Sequence, residues 1–217
     1  MCLFYAPASP YARIVRVALL ETGLDARVQK QEVTLRDPAS ALLPFNPVGR
    51  VPTLELDDGT ILTESLLILH YLDAIQSGPK LLPRDGSDKW RVLSEMGLAT
   101  GLLEGIVTWA RMLRNPENQR ATAVLDLETT RCSRTADVLE KAVANGGYAG
   151  SEINAARLVL GVTLGWIEPR HPIWKWRKGR PALSAWFDAV AATPSFQATE
   201  PAASVTTAVP YRYRDAV

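Results

Sequence analysis

Three short stretches carry residues whose types and spacing could act on a small anionic ligand. Ser9-Pro10-Tyr11-Ala12 follows an apolar run and opens a helical pattern. The free N–H groups and positive end of a helix stabilise an anion by about 0.3–1 kcal/mol, and by up to ~2 kcal/mol when partly buried. A serine hydroxyl there can also donate to a thiolate, and a free thiol with a pKa near ~8.5 needs such help to ionise well at neutral pH. The same serine also reads as a plain helix N-cap. The second stretch, Asn46-Pro47-Val48-Gly49-Arg50-Val51-Pro52-Thr53, leads into a strand. Pro52 stands where that strand begins, which suits an edge or a turn. Were the Val51–Pro52 bond cis, Val51 would present its backbone N–H and C=O to a bound peptide. The third, Thr63-Glu64-Ser65, opens a Leu-rich helix. Glu64 could take the ammonium of an amino-acid zwitterion, and Ser65 with the helix N–H groups its carboxylate. Ordinary capping would place the same residue types there.

The elements that must hold these stretches follow from the hydrophobic pattern. Cys2–Tyr5 and Val28–Val33 read as strands, as do Thr53–Leu56 and Thr60–Leu62 around the turn signal Asp57-Asp58-Gly59. Between the first two strands, Tyr11, Ile14, Val15, Ala18 and Leu19 trace one face of a helix, with Ser9-Pro10 at its start and Gly23 at its stop. A second helix spans about Ser65 to Ile75, and its Leu/Ile content predicts burial on most sides. A strand–helix–strand start favours parallel pairing, and the hairpin adds an antiparallel pair. Gln76 to Gly86 reads as a linker. Helical patterns follow at 87–114, 120–144, 152–167 and 182–192, punctuated by Pro116, Gly146-Gly147, Pro169, Pro172 and Pro181. The expected architecture is a small α/β domain over 1–78 followed by an all-helical domain over 87–217.

Composition narrows the function classes. The chain has 217 residues, 47% hydrophobic and 22% charged, and 24 basic against 23 acidic residues leave a net charge of +1. Such a balance gives no bulk attraction to nucleic acid or anionic lipid, and no apolar run approaches the ~20 residues that span a bilayer. The N-terminus lacks a signal-peptide layout, and the two cysteines, Cys2 and Cys132, show no metal-ligand spacing. Cys2 reads as a small buried hydrophobe. His70, within a buried-looking helix, and His171, in a loop, have no second ligand at helical spacing and read as structural. The stretch from Trp166 to Trp186 interleaves Trp174 and Trp176 with basic residues, which could suggest base stacking. An ordinary loop whose tryptophans pack back into the core is the simpler reading. A cytoplasmic protein is expected.

Taken jointly, the stretches SPYARIVRVALLE, NPVGRVPTLELDDG and TESLLILHYL resemble, in order and spacing, the thioredoxin-like first domain of the glutathione transferases. LGWIE at 164–168 and PALSAWFDAVAATPSFQATEP at 181–201 resemble that family's helical domain, so nearly the whole chain is covered. The resemblance implies the family's fold, a thioredoxin-like domain followed by an all-α one, with glutathione as co-substrate and a homodimeric assembly. It implies that Ser9 stabilises the glutathione thiolate, with Tyr5, at the end of the first strand, as the competing partner. Val51 would pair its backbone with the cysteinyl part, next to a cis Pro52. Glu64 and Ser65 would hold the γ-glutamyl end, and Arg50 the glycyl carboxylate. Ser9 and Ala12 also stand where glutaredoxins carry two cysteines, so a dithiol mechanism is excluded. Ser151-Glu152-Ile153-Asn154 stands where the family carries Ser/Thr-x-x-Asp, which implies a weaker cap for that helix.

The implied reaction is thiolate attack on a hydrophobic electrophile, without a metal. The electrophile's pocket is expected between the Ser9 loop and the first long helix of the second domain. Tyr11, Trp109, Met112 and Leu113 are its candidate walls, with the aromatics of PYRYR at 210–214. Two alternatives stay open: glutathione-dependent reduction of disulfides or peroxides, and a binding protein without catalysis.

Overall fold

The computed structural model describes residues 1–78, 80–150 and 152–201. Four strands, β1 (Cys2–Tyr5), β2 (Gln29–Glu32), β3 (Thr53–Glu55) and β4 (Ile61–Thr63), form one sheet in the order β2-β1-β3-β4. β1 runs parallel to β2 and antiparallel to β3, and β4 is antiparallel to β3. Helix α1 (Pro10–Glu21) makes the crossover from β1 to β2, and α2 (Ser65–Ile75) follows β4. The remaining helices are α3 (Ser87–Leu113), α4 (Thr122–Ala144), α5 (Ala155–Arg170), α6 (Pro181–Ala191) and the short α7 (Pro194–Ala198).

Alternation along β1 sends its neighbours to opposite faces. Leu3, paired with Leu54, lies under α1 and α2 against Ile14, Ala18, Ile68 and Leu72. Phe4 turns to the other face, where Val33, Leu42 and Val51 bury it and the Phe45 ring stacks at 4.5 Å. β2 is an edge strand whose four residues, QKQE, are all exposed. Its apolar flanks, Val28 and Val33, are buried just outside the ladder. That is why the strand is shorter than the apolar pattern suggests.

The first core continues without a break from the sheet through α1 into α3, α5 and α6. The linker is pinned at Leu81 to both halves of the molecule. Leu81 N donates to Asp73 Oδ1 at 2.6 Å, and Ala155 N to Leu81 O at 2.9 Å.

Several expectations are corrected. In α2 the buried residues form a single stripe of Ser65, Ile68, Leu69, Leu72 and Asp73, so Leu67 is 61% exposed and His70 lies on the solvent side. Cys2 is half-buried rather than buried. α5 begins three residues later than expected: Asn154 is its N-cap, with Oδ1 accepting from Arg157 N at 3.0 Å. The capping box is therefore Asn154-Ala155-Ala156-Arg157, with arginine in the fourth position. The Arg157 guanidinium instead closes the preceding loop, donating to Gly150 O and to Glu152 O. α5 also runs on to Arg170 with Pro169 in its last turn. There the ring disturbs little beyond the final hydrogen bonds.

Candidate functional site

Sheet register gathers the three stretches at one end of the sheet. Phe4 pairs with Thr53, and Thr53 with Thr63. The chain leaving β1 toward Ser9, the Val51-Pro52 entry to β3 and the Glu64-Ser65 exit from β4 are therefore neighbours.

Ser9 N donates to Ala6 O at 3.0 Å, which turns the chain into α1. Ser9 is extended, with φ −82° and ψ 121°, and Pro10 occupies the first helical position. Its Oγ accepts from Ala12 N at 3.2 Å, so the hydroxyl proton remains to be donated elsewhere. Ser9 thus caps the helix and presents a donor at its positive end. From the helical half of the molecule, Trp166 Nε1 donates to Ala8 O at 3.0 Å. The residue before Ser9 is fixed across the two halves, and nothing local in the sequence marks that contact.

The Val51–Pro52 bond is cis. Asn46 holds this turn and is itself almost fully buried. Its Nδ2 donates to Arg50 O at 3.0 Å and to Thr53 Oγ1 at 2.9 Å, while its Oδ1 accepts from Val48 N at 3.0 Å. Asn46 was legible as part of a motif, and its position before Pro47 is an Asx-turn signal, but its role as the pin emerges only from the fold. Gly49 takes φ +65°, a conformation glycine adopts without strain. The Arg50 side chain is exposed. Glu64 also has a positive φ, +68°, a costly backbone for a residue with a Cβ. It throws Glu64 outward while Ser65, at the first position of α2, stays buried.

The other candidates occupy distinct places. The Tyr5 ring lies beneath the Arg16 guanidinium, 5.2 Å from its centroid. The Tyr11 hydroxyl donates to Glu104 Oε1 on α3 at 2.8 Å. Burial, and then the Glu104 carboxylate, push the Tyr11 pKa well above the usual phenol value. Trp109 is buried, its ring centroid 4.3 Å from that of His171 and 5.7 Å from that of Trp174. The Met112 sulfur accepts from Ala121 N at 3.4 Å, facing the loop after α3. Leu113 packs half-buried against the main core. Residues 210–214, also named as walls, lie outside the described residues.

The thiols lie elsewhere. Cys132 is buried, its pKa pushed up to about 12 by burial and by Glu128, and Cys2 is raised by burial and then by Glu55. Among the described residues no group of three His, Cys, Asp or Glu side chains could hold a metal ion. None of their helices is long and apolar enough to cross a membrane. Trp176 is buried, and Arg177 and Arg180 beside it pair with Asp188 at 2.9 Å and Asp137 at 2.7 Å. The tryptophans of the stretch that suggested base stacking pack inward.

Comparisons with known proteins agree with this fold. Residues 3–80 match the family model of the glutathione S-transferase N-terminal domain, and residues 122–189 that of the C-terminal domain. A glutathione transferase family member from Pseudomonas fluorescens Pf-5, solved with bound glutathione, is 38% identical and superposes with a TM-score of 0.85. The match covers 92% of this chain and 98% of that one. A second structure from the same bacterium, with bound S-(propanoic acid)-glutathione, is 37% identical with a TM-score of 0.83, covering 93% and 99% of the two chains. The uncharacterized GST-like protein YibF of Escherichia coli K12 is 27% identical over 193 residues, 89% of this chain and 95% of its own.

Proposed function

The chain belongs to the glutathione transferase family, and from that premise we propose that Ser9 activates the thiol of bound glutathione for attack on an electrophile. The observation that carries this reading is the Ser9 hydroxyl itself. It spends a lone pair on Ala12 N–H and keeps its proton for a sulfur at the positive end of α1. The cis Val51–Pro52 turn supports backbone pairing with the cysteinyl residue of glutathione. The outward Glu64 and the Ser65 beneath it support capture of the γ-glutamyl ammonium and carboxylate. Arg50, exposed beside that turn, is the partner proposed for the glycyl carboxylate. The glutathione and the glutathione conjugate bound in the two structures of the Pseudomonas relative favour transfer over a purely structural use of the fold. The enzyme's part is to lower the thiol pKa and to align the two substrates. We further propose a homodimer, which sedimentation equilibrium would reveal as twice the chain mass.

The test is the ultraviolet thiolate absorbance of enzyme-bound glutathione against pH. We expect the bound thiol to titrate about two units below free glutathione, equivalent to about 2.7 kcal/mol of preference for the thiolate. In Ser9→Ala the pKa should return most of the way to the free value. A depression that survives the substitution moves the role to Tyr5 or to the helix N–H groups.

A further inference from the structure

The turn that leads into β3 is wired more tightly than a plain connection requires. Asn46 is 2% exposed and Thr53 is fully buried. Asn46 Oδ1 accepts from Val48 N at 3.0 Å, and a backbone N–H can only donate, so the amide nitrogen must face the other way. That nitrogen donates to Arg50 O at 3.0 Å and to Thr53 Oγ1 at 2.9 Å. The Thr53 hydroxyl in turn gives its single proton to the same Arg50 O, at 2.9 Å. The Asn46 backbone is held as well, its N–H by Leu42 O and its carbonyl by Gly49 N, both at 2.9 Å. Thr53 sits in the middle of the sheet, paired with Phe4 on one side and Thr63 on the other. Both ends of the network are therefore fixed.

The Arg50–Val51 peptide is trans and planar, so its C=O and its N–H point in opposite directions. Two donors draw Arg50 O toward Asn46 and the sheet. The Val51 N–H is thereby turned away from both. Among the described residues no group accepts from it, although Val51 is only 7% exposed. A backbone N–H on so buried a residue nearly always has a partner. Here that partner is left to come from outside the chain, at the end of the sheet where Ser9 and Ser65 also lie.

We propose that Asn46 and Thr53 are positioning residues for glutathione. Through the peptide they hold, they aim the Val51 N–H at the carbonyl of the cysteinyl residue. The inference rests on the reading of Val51 given above and extends it to two side chains that need not touch the ligand. A peptide free to flip would turn Arg50 O toward the ligand's carbonyl, acceptor against acceptor. The hold thus selects a donor at that point of the site.

The experiment is calorimetric titration of the full chain with glutathione and with one analogue. In the analogue a trans carbon–carbon double bond replaces the cysteinyl–glycyl amide, which keeps the shape and removes the carbonyl. Wild type should prefer glutathione by about tenfold. Most of that preference should vanish in Thr53→Val, which keeps the volume without the hydroxyl, and in Asn46→Leu, which removes the amide at similar size. Thr53→Ser keeps the hydroxyl and should keep the preference. Partial unfolding of a variant weakens both ligands alike and leaves their ratio unchanged, so the ratio is the readout. A wild-type ratio in both Thr53→Val and Asn46→Leu overturns the proposal, because the two residues would then only hold the turn together. So does equal affinity of the wild type for the two ligands. Failure of the wild type to bind glutathione at all would remove the transferase reading as well.

Discussion

Ser9 and His171 show how little a residue type says until its surroundings are known. Both could be read as bland, one as a cap and one as a lone loop histidine. Ser9 is a cap, and the cap leaves its proton available at the positive end of α1. His171 is structural, but its titration is far from ordinary. It is 3% exposed, its Nε2 has no hydrogen-bond partner among the described residues, and its ring is wedged against Trp109. Burial lowers its pKa to about 4. The neutral ring is therefore kept in the folded state down to about pH 4, whereas the unfolded chain takes up a proton below about pH 6.5. The unfolded state binds the extra proton, so stability is lost as pH falls from about 6.5 to 4. Urea unfolding at pH 7 and pH 4.5 should show a smaller acid-induced loss in His171→Leu than in wild type. An identical loss in both would mean that other groups set the acid limit.

Among the elements, α5 connects the two halves of the fold. It is buried along nearly its whole length, so its amphipathic signal is weak and its glycines matter for close approach. A Cβ on Gly161 would lie 2.7 Å from Phe196 Cζ and 2.8 Å from Val190 Cγ1. α6 and α7 pack onto the helix through that gap. Gly161→Ala should cost about 1–3 kcal/mol by overpacking, more than its gain in helix propensity returns. A melting temperature at or above that of wild type would show that Phe196 can swing away at little cost. At the start of the same helix two polar residues three apart, Ser151 and Asn154, could each supply the cap, and the sequence suggested Ser151. The Asn154 hydrogen bond decides between them, and the arginine at position 157 departs from the family's acidic residue while finding other partners.

At the scale of the whole molecule, α1 is clamped to the helical half at three points along its length. Trp166 holds Ala8 O ahead of its first turn. Within the first turn, Arg13 donates to Phe196 O at 3.0 Å, with its guanidinium 5.4 Å from the centre of the Phe196 ring. At its last turn, Glu21 accepts from the Ser195 hydroxyl. The helix that carries Ser9 is thus oriented by residues more than 150 positions away. Trp166→Phe removes the N–H donor together with part of a buried ring. It should lower global stability by about 1–3 kcal/mol, through the lost hydrogen bond and the small cavity together. It should also move the bound glutathione pKa part of the way toward its Ser9→Ala value, because Ala8 is released next to Ser9. A stability loss with an unchanged thiol pKa would reduce Trp166 to an interdomain fastener.

Local chemistry made much of this molecule legible from the chain alone. Ser9-Pro10 dictates a capped helix start, Asp57-Asp58-Gly59 a reversal, and the alternation of Leu3 and Phe4 a strand between two apolar layers. Those signals depend on φ, on hydrogen-bonding groups and on a period of two or 3.6, all of which lie within a few residues. Features that depend on neighbours distant in sequence were not legible. His70 on a Leu-rich helix is solvated because α2 has packing partners on one side only. Trp109, suggested as a pocket wall, lies buried against His171 and Trp174 because α3 and α5 end together. Burial and electrostatic potential are sums over every group nearby, and only the tertiary structure determines which groups those are.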